Sequence, residues 1–148
     1  MTRDEKREWL GRYRALLRRA KAVEEELQEL RGAALPASPV IDGMPRGQGG
    51  GSIVEAAALE VAEAEAELSD IMAAARAARA EILAAIAGLS GIAYDVMRKR
   101  YIGPRDKTWD EIAGEVYLSP DRARHVHIEA LDKLDIPERR DAILYGIA

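Results

Sequence analysis

Arg122, Arg124 and His125 fall within one helical turn of each other, just after Ser119-Pro120, in the run TWDEIAGEVYLSPDRARHVHIEALDKL that spans residues 108–134. A guanidinium is a planar fork of hydrogen-bond donors, and an imidazole offers a donor and an acceptor. Gathered at the start of a helix, such groups suit contact with base edges and phosphates, because a helix entering the major groove uses that end. Covalent chemistry has no comparable support. The chain has no cysteine, and it shows no P-loop, no nucleophile–base pair and no catalytic carboxylate pair, so neither enzymatic activity nor a cofactor is expected. His125 and His127 are two apart, point to different sides of a helix and make no metal pair.

Two helix starts position these residues. Thr108 with Glu111 forms a T-x-x-E capping box, and Trp109, Ile112, Ala113 and Val116 give the helix an inward face. After a short break at Tyr117-Leu118, Ser119 as N-cap and Pro120 at the first helical position restart the chain. The second inward face is Ala123, Val126, Ala130, Leu131 and Leu134, leaving Pro120, Asp121, Arg122, Arg124 and His125 outward and His127 either outward or partly packed. Upstream, Ile92–Tyr101 reads as a short helix that ends on Arg98, Lys99 and Arg100, a placement that complements the helix dipole, and Gly103-Pro104 stops it. Downstream, Asp135 with Glu138 could cap a last helix whose Ile136, Ile143, Leu144 and Ile147 pack on the domain or on a partner.

The rest of the chain is an arm. Residues 1–31 carry Trp9, Tyr13, Leu16, Ala20, Val23, Leu27 and Leu30 at alternating spacings of four and three, the seam of a coiled coil, with Gly32 as its stop. Residues 32–51 hold half of the glycines and half of the prolines and read as a flexible linker, or as a stretch in which MPRGQGGG and Arg46 touch a phosphate. Residues 52–89 open on a Ser52/Glu55 capping box and carry a second seam: Val54, Ala57, Val61, Ala64, Leu68, Ile71, Ala75, Ala78, Ile82, Ala85 and Leu89. Residues 90–148 form the C-terminal domain. The expected class is all-α.

Two seams joined by a linker most simply fold back as an antiparallel hairpin. That arrangement sets Glu24 and Glu26 beside Glu60, Glu65 and Glu67, whereas a parallel return or a partner chain would match unlike charges. Hence a homo-oligomer, most simply a dimer, is expected through Trp9, Tyr13, Leu16, Val23, Leu27, Leu30, Val61, Leu68, Ile71 and Ile82.

Composition sets the limits. Hydrophobic residues make up 48% of 148, but many are alanine and none is phenylalanine, which favours thin helix-on-helix packing over a thick core. The start MTRDEKREW lacks a signal peptide's apolar stretch, and no apolar run reaches the roughly 20 residues of a membrane span, so a cytoplasmic location without membrane contact is expected. The net charge of −4 is uneven: residues 52–89 carry −5, while residues 98–127 carry +2. The acid lies on the arm, and the local field governs an encounter with DNA. On spacing alone, the outward arginines fit a solvated helix face about as well as a DNA-reading one.

The run from Thr108 to Leu134, including its EALDKL ending, resembles without a gap region 4 of bacterial sigma factors, the helix-turn-helix that reads the −35 promoter element. The whole chain resembles small phage and prophage transcriptional regulators of sigma-like, late-gene type. These share a charged first helix, a linker with an MP-(K/R)-G motif (here Met44-Pro45-Arg46-Gly47), a second long helix and then this motif. The resemblance implies base contacts at Pro120, Asp121, Arg124 and His125, with Arg124 suited to a bidentate guanine contact. It implies phosphate contacts at Arg122, Arg105 and Lys107. Pro120 stands where sigma factors commonly place arginine, and His125 where they often have glutamine, which implies a site other than an ordinary −35 element.

The expected function is sequence-specific binding of double-stranded DNA in transcription regulation, with RNA polymerase as a partner implied by the resemblance. Nothing matches the sigma segment that melts the −10 element, so a complete sigma factor is not expected. Two other readings come from different classes: a small terminase subunit recognising phage DNA for packaging, and a coiled-coil adaptor that binds protein.

Overall fold

The computed structural model describes residues 1–34 and 48–136, and every regular element among them is helical. In order these are α1 (Arg3–Leu10), α2 (Arg12–Ala34), α3 (Gln48–Ile86), α4 (Gly91–Tyr101), α5 (Trp109–Val116) and α6 (Pro120–Lys133). The all-α expectation holds. The linker motif around Arg46 and the helix expected after Pro137 lie outside the described residues.

Boundaries differ from those expected, and the long second helix ends at Ile86 rather than Leu89. The first helix is divided at Gly11, where φ is −78° and ψ is −2°. The Gly11 N–H still donates to the Arg7 carbonyl at 2.8 Å and the Ala15 N–H to the Gly11 carbonyl at 3.0 Å, so the division is a local loosening of one path. A heptad count steps over such a residue because the apolar seam continues on both sides. Second, α2 runs past Gly32 to Ala34. Third, α3 begins at Gln48, so Ser52 lies inside the helix and does not cap it. Once a helix is nucleated, each added residue gains a backbone hydrogen bond, and that gain opposes the roughly 1 kcal/mol that each glycine costs.

The chain packs as two units, one of residues 1–15 with 75–148 and the other of residues 16–74. In the second unit Val23 and Leu27 of α2 bury against Ala64 of α3, with Leu30, Val61, Leu68 and Ile71 alongside. Arg31 Nη2 donates to Glu65 Oε1 at 3.0 Å. In the first unit the opposite ends of the same two helices meet, and Arg12 Nη2 donates to Glu81 Oε2 at 2.6 Å. In the second unit an arginine thus stands beside Glu65, where the sequence suggested only carboxylates. Of the residues expected to join chains, Val23 and Leu27 are buried, Ile82 is fully buried, Leu16 is half-buried, and Trp9 and Tyr13 pack on the core of the first unit.

That core is built from Leu10, Ile82, Ile86, Met97 and Leu131, all without exposed surface, with Tyr101, Ile102, Ala130, Leu134 and Ile136 around them. Buried Ala75 and Ala78 line the same helix that supplies Ile82 and Ile86. A second cluster, Val96, Ile112 and Val126, joins α4, α5 and α6, with Trp109, Val116 and Leu118 at its edge. The first helix also holds α6 by polar contacts. Arg3 donates through Nε and Nη2 to the two carboxylate oxygens of Asp132, each at 2.8 Å. Lys6 Nζ donates to the Leu131 carbonyl at 2.7 Å, placing a cation at the C-terminal end of α6, where the helix dipole favours one.

Buried and exposed positions should respond very differently to truncation. Ile86→Ala removes three carbons from a site with no exposed surface and should lower the unfolding free energy by about 2–5 kcal/mol. Leu59→Ala, at a site that is 60% exposed, should change it by under ~0.5 kcal/mol. Urea unfolding of the two variants beside the parent checks the contrast.

Candidate nucleic-acid interface

The local signals between residues 108 and 122 are satisfied as read. Glu111 N–H donates to Thr108 Oγ1 at 3.2 Å, and the Glu111 carboxylate accepts from the Thr108 N–H, closing the capping box of α5. Arg122 N–H donates to Ser119 Oγ at 3.1 Å, and Pro120 opens α6. Between the two helices, Tyr117 adopts the left-handed conformation, with φ 59° and ψ 41°. This lets Leu118 N–H donate to the Ala113 carbonyl at 2.9 Å and ends α5 abruptly. No glycine marks this turn, so the sequence indicated only a break.

The seat of α6 is a polar joint inside the apolar cluster. His127 is 4% exposed, and its Nε2 shares a 2.6 Å hydrogen bond with the Tyr101 hydroxyl of α4. The Trp109 ring of α5 lies with its centroid 4.9 Å from that of the imidazole. Burial lowers the His127 pKa from its ordinary 6.5 to about 4, with Arg7 and Arg100 adding to the effect. Burial likewise raises the Tyr101 hydroxyl to about 12, against the pull of Arg100 and Arg7. Both rings are neutral at pH 7. The outward alternative for His127 is therefore corrected: it shares the stripe of Ala123, Ala130 and Leu131, and its spacing from them was the available signal.

With that stripe inward, Asp121, Arg122, Arg124 and His125 are exposed and Pro120 is half-buried, so these five candidates share one end of α6. Arg124 Nη1 donates to Asp121 Oδ1 at 3.0 Å, and His125 Nε2 lies 2.8 Å from Glu129 Oε1. Among the described residues, no carboxylate lies within ion-pair distance of Arg122. The other two candidates lie on the loop before α5 and are held by its carboxylates. Arg105 pairs with Glu111, and Lys107 Nζ donates to both Glu115 oxygens at 2.8 and 3.0 Å. The Arg105 guanidinium, helped by the Thr108 N–H, pulls the Glu111 carboxyl down to about 2. Lys107 similarly lowers that of Glu115. The Arg105–Glu111 pair is exposed and screened by solvent, so a phosphate could displace the carboxylate from Arg105. Lys107, with 14% of its side chain exposed, is less accessible.

The basic end of α4 is committed to structure. Arg98 donates to the Tyr94 hydroxyl at 2.8 Å. Arg100 lies 4.6 Å over the Trp109 ring and donates to the Lys107 carbonyl at 2.9 Å. Lys99 stands 3.9 Å from Glu115. A residue that sequence reasoning passed over is Arg14, which is buried and donates to Asp106 Oδ1 at 2.9 Å across 92 positions of chain. This contact ties the loop carrying Arg105 and Lys107 to the start of α2. Nothing local in the sequence foreshadows it.

Among the described residues, no cluster of three His, Cys, Asp or Glu is placed to hold a metal, and no helix is long and apolar enough to cross a membrane. Comparison with protein-family models, curated proteins and solved structures gives no match for this chain.

The buried imidazole makes stability depend on pH with a definite sign. The folded pKa of His127 lies below its unfolded value, so the unfolded chain binds a proton that the folded chain does not. Stability should therefore be full above pH 6.5 and fall as the pH drops toward 4, by roughly 3 kcal/mol over the whole window. Unfolding free energies between pH 7 and 5 should show this fall, and His127→Gln should flatten it. An unchanged slope in the variant would contradict the assignment.

Proposed function

We propose that this protein is a sequence-specific DNA-binding regulator of transcription, of the sigma region 4-like type found in phages and prophages. In this reading α5 and α6 act as a helix-turn-helix, and the first turns of α6 enter the major groove. One observation carries it: a helix whose inward stripe is fully buried presents Asp121, Arg122, Arg124 and His125 together at its N-terminal end. Arg124 is the base-reading group. Its contact with Asp121 is exposed and local, so the guanidinium can exchange it for guanine O6 and N7. Arg122 and Arg105 serve as phosphate contacts, with Lys107 behind them. The charge pattern supports the orientation. The acidic stretch 52–89 belongs to the arm, and the stretch 98–127 is net basic, so DNA is steered toward the C-terminal domain.

Self-association through the seams, or contact with RNA polymerase, can use apolar positions that the fold leaves open. On the arm these include Ile53 and Val54, which are exposed by 71% and 64%. RNA polymerase is the partner that the sequence resemblance implies.

Selection of bound duplexes from a random pool tests the proposal. The parent should enrich a defined motif, and Arg124→Ala should relax one position of it, at a cost of about 1–3 kcal/mol in discrimination. A pool with no enriched sequence would refute sequence-specific reading. An unaltered motif with Arg124→Ala would remove Arg124 from the base contacts.

A further inference from the structure

Tyr117 is the only described non-glycine residue with positive φ, and it is 93% exposed. Both facts run against what the turn requires. A left-handed residue with a Cβ costs roughly 1–2 kcal/mol, which glycine avoids and asparagine reduces. A large aromatic side chain in water gains nothing from burial in this fold. The backbone of the turn needs only the N–H and the left-handed bend, and asparagine or glycine would supply both. The phenol therefore has no role within the unit that holds it.

Its position supplies a role. Tyr117 stands three residues before Pro120, so its Cα is at most ~11 Å from the first residue of α6. With α6 docked in the groove as proposed, the sugar-phosphate strand that borders the groove would lie beside this turn. A phenol hydroxyl is a neutral donor well suited to a phosphate oxygen, and nearly all of this one lies in solvent. We infer that Tyr117 is a DNA-contacting residue, its hydroxyl donating to a backbone phosphate beside the groove that α6 occupies. The inference rests on the DNA-binding reading and extends it to a residue outside the sigma-like set of contacts.

A neutral phosphate contact leaves a distinctive signature. It carries no base information, so its loss weakens binding alike on specific and random duplexes. It neutralises no phosphate, so the slope of log K against log salt stays the same, in contrast to removal of Arg122. Tyr117→Phe deletes only the hydroxyl, and Tyr117→Asn deletes the ring while easing the left-handed backbone. The test is affinity for a random-sequence duplex at several salt concentrations, with thermal denaturation of each variant. Both variants should bind about five- to twentyfold more weakly, with salt plots parallel to the parent. Tyr117→Asn should melt no lower than the parent, which separates lost contact from lost fold. Parent-like affinity in Tyr117→Phe would overturn the inference while leaving the DNA-binding reading intact. Failure of the parent itself to bind any duplex would overturn both.

Discussion

A neutral imidazole buried between a phenol and an indole sets the pose of α6, and the candidate interface depends on that pose. His127, Tyr101 and Trp109 come from three different helices and meet at one point, Tyr101 belonging to the first apolar cluster and Trp109 to the edge of the second. A protonated imidazole there would be a desolvated charge with Arg7 and Arg100 as its nearest charged influences, so the site enforces neutrality. The hydrogen bond to Tyr101 also has a direction, which hydrophobic contact lacks. It fixes the roll of α6 about its axis. With His127 turned inward, His125 and Arg122 are carried to nearly the opposite side at ~100° per residue, with Arg124 on one flank.

The surrounding packing explains why such a polar joint is needed. There is no phenylalanine, and much of the apolar content is alanine, so the layers between helices are thin. Ala75 and Ala78 of α3 and Ala123 and Ala130 of α6 are all buried with little volume to interlock. Thin layers place helices close together but restrain rotation weakly. The contacts that restrain rotation are the polar ones: Arg3 on Asp132, Lys6 on the Leu131 carbonyl, Arg14 on Asp106, Arg100 on Trp109, and the joint at His127. Many of these cations face inward or along the surface. At the N-terminal end of α6 and the loop before α5, Arg122 is exposed, and Arg105 and Arg124 lie in exposed, displaceable pairs.

Much of this was legible in the sequence, and the remainder has physical reasons for being hidden. The capping box at Thr108 and Glu111, the Ser119-Pro120 start and the inward stripe of α6 are local signals, and each fell where expected. The seams on α2 and α3 were legible as apolar faces, but not whether they meet within or between chains. The flanking carboxylates suggest like charges side by side, whereas Arg31 reaches Glu65. The left-handed turn escaped notice because its residue is tyrosine. The pairing of Arg105 and Lys107 with α5 carboxylates depends on how the loop folds back, which spacing does not encode. The sequence leaves His127 between surface and core, although its spacing from Ala123 and Ala130 puts it on the buried stripe.

The central claim is that the exposed N-terminal end of α6, with the turn before it, is the surface that touches DNA, while the acidic arm does not. Backbone amide chemical shifts followed during titration with a random-sequence duplex address this residue by residue. The account predicts the largest changes across residues 117–125, smaller ones at 105–107, and none on the acidic arm across 20–33 and 55–70. Changes centred on α2 and α3, or no change at all with duplex in excess, would contradict it.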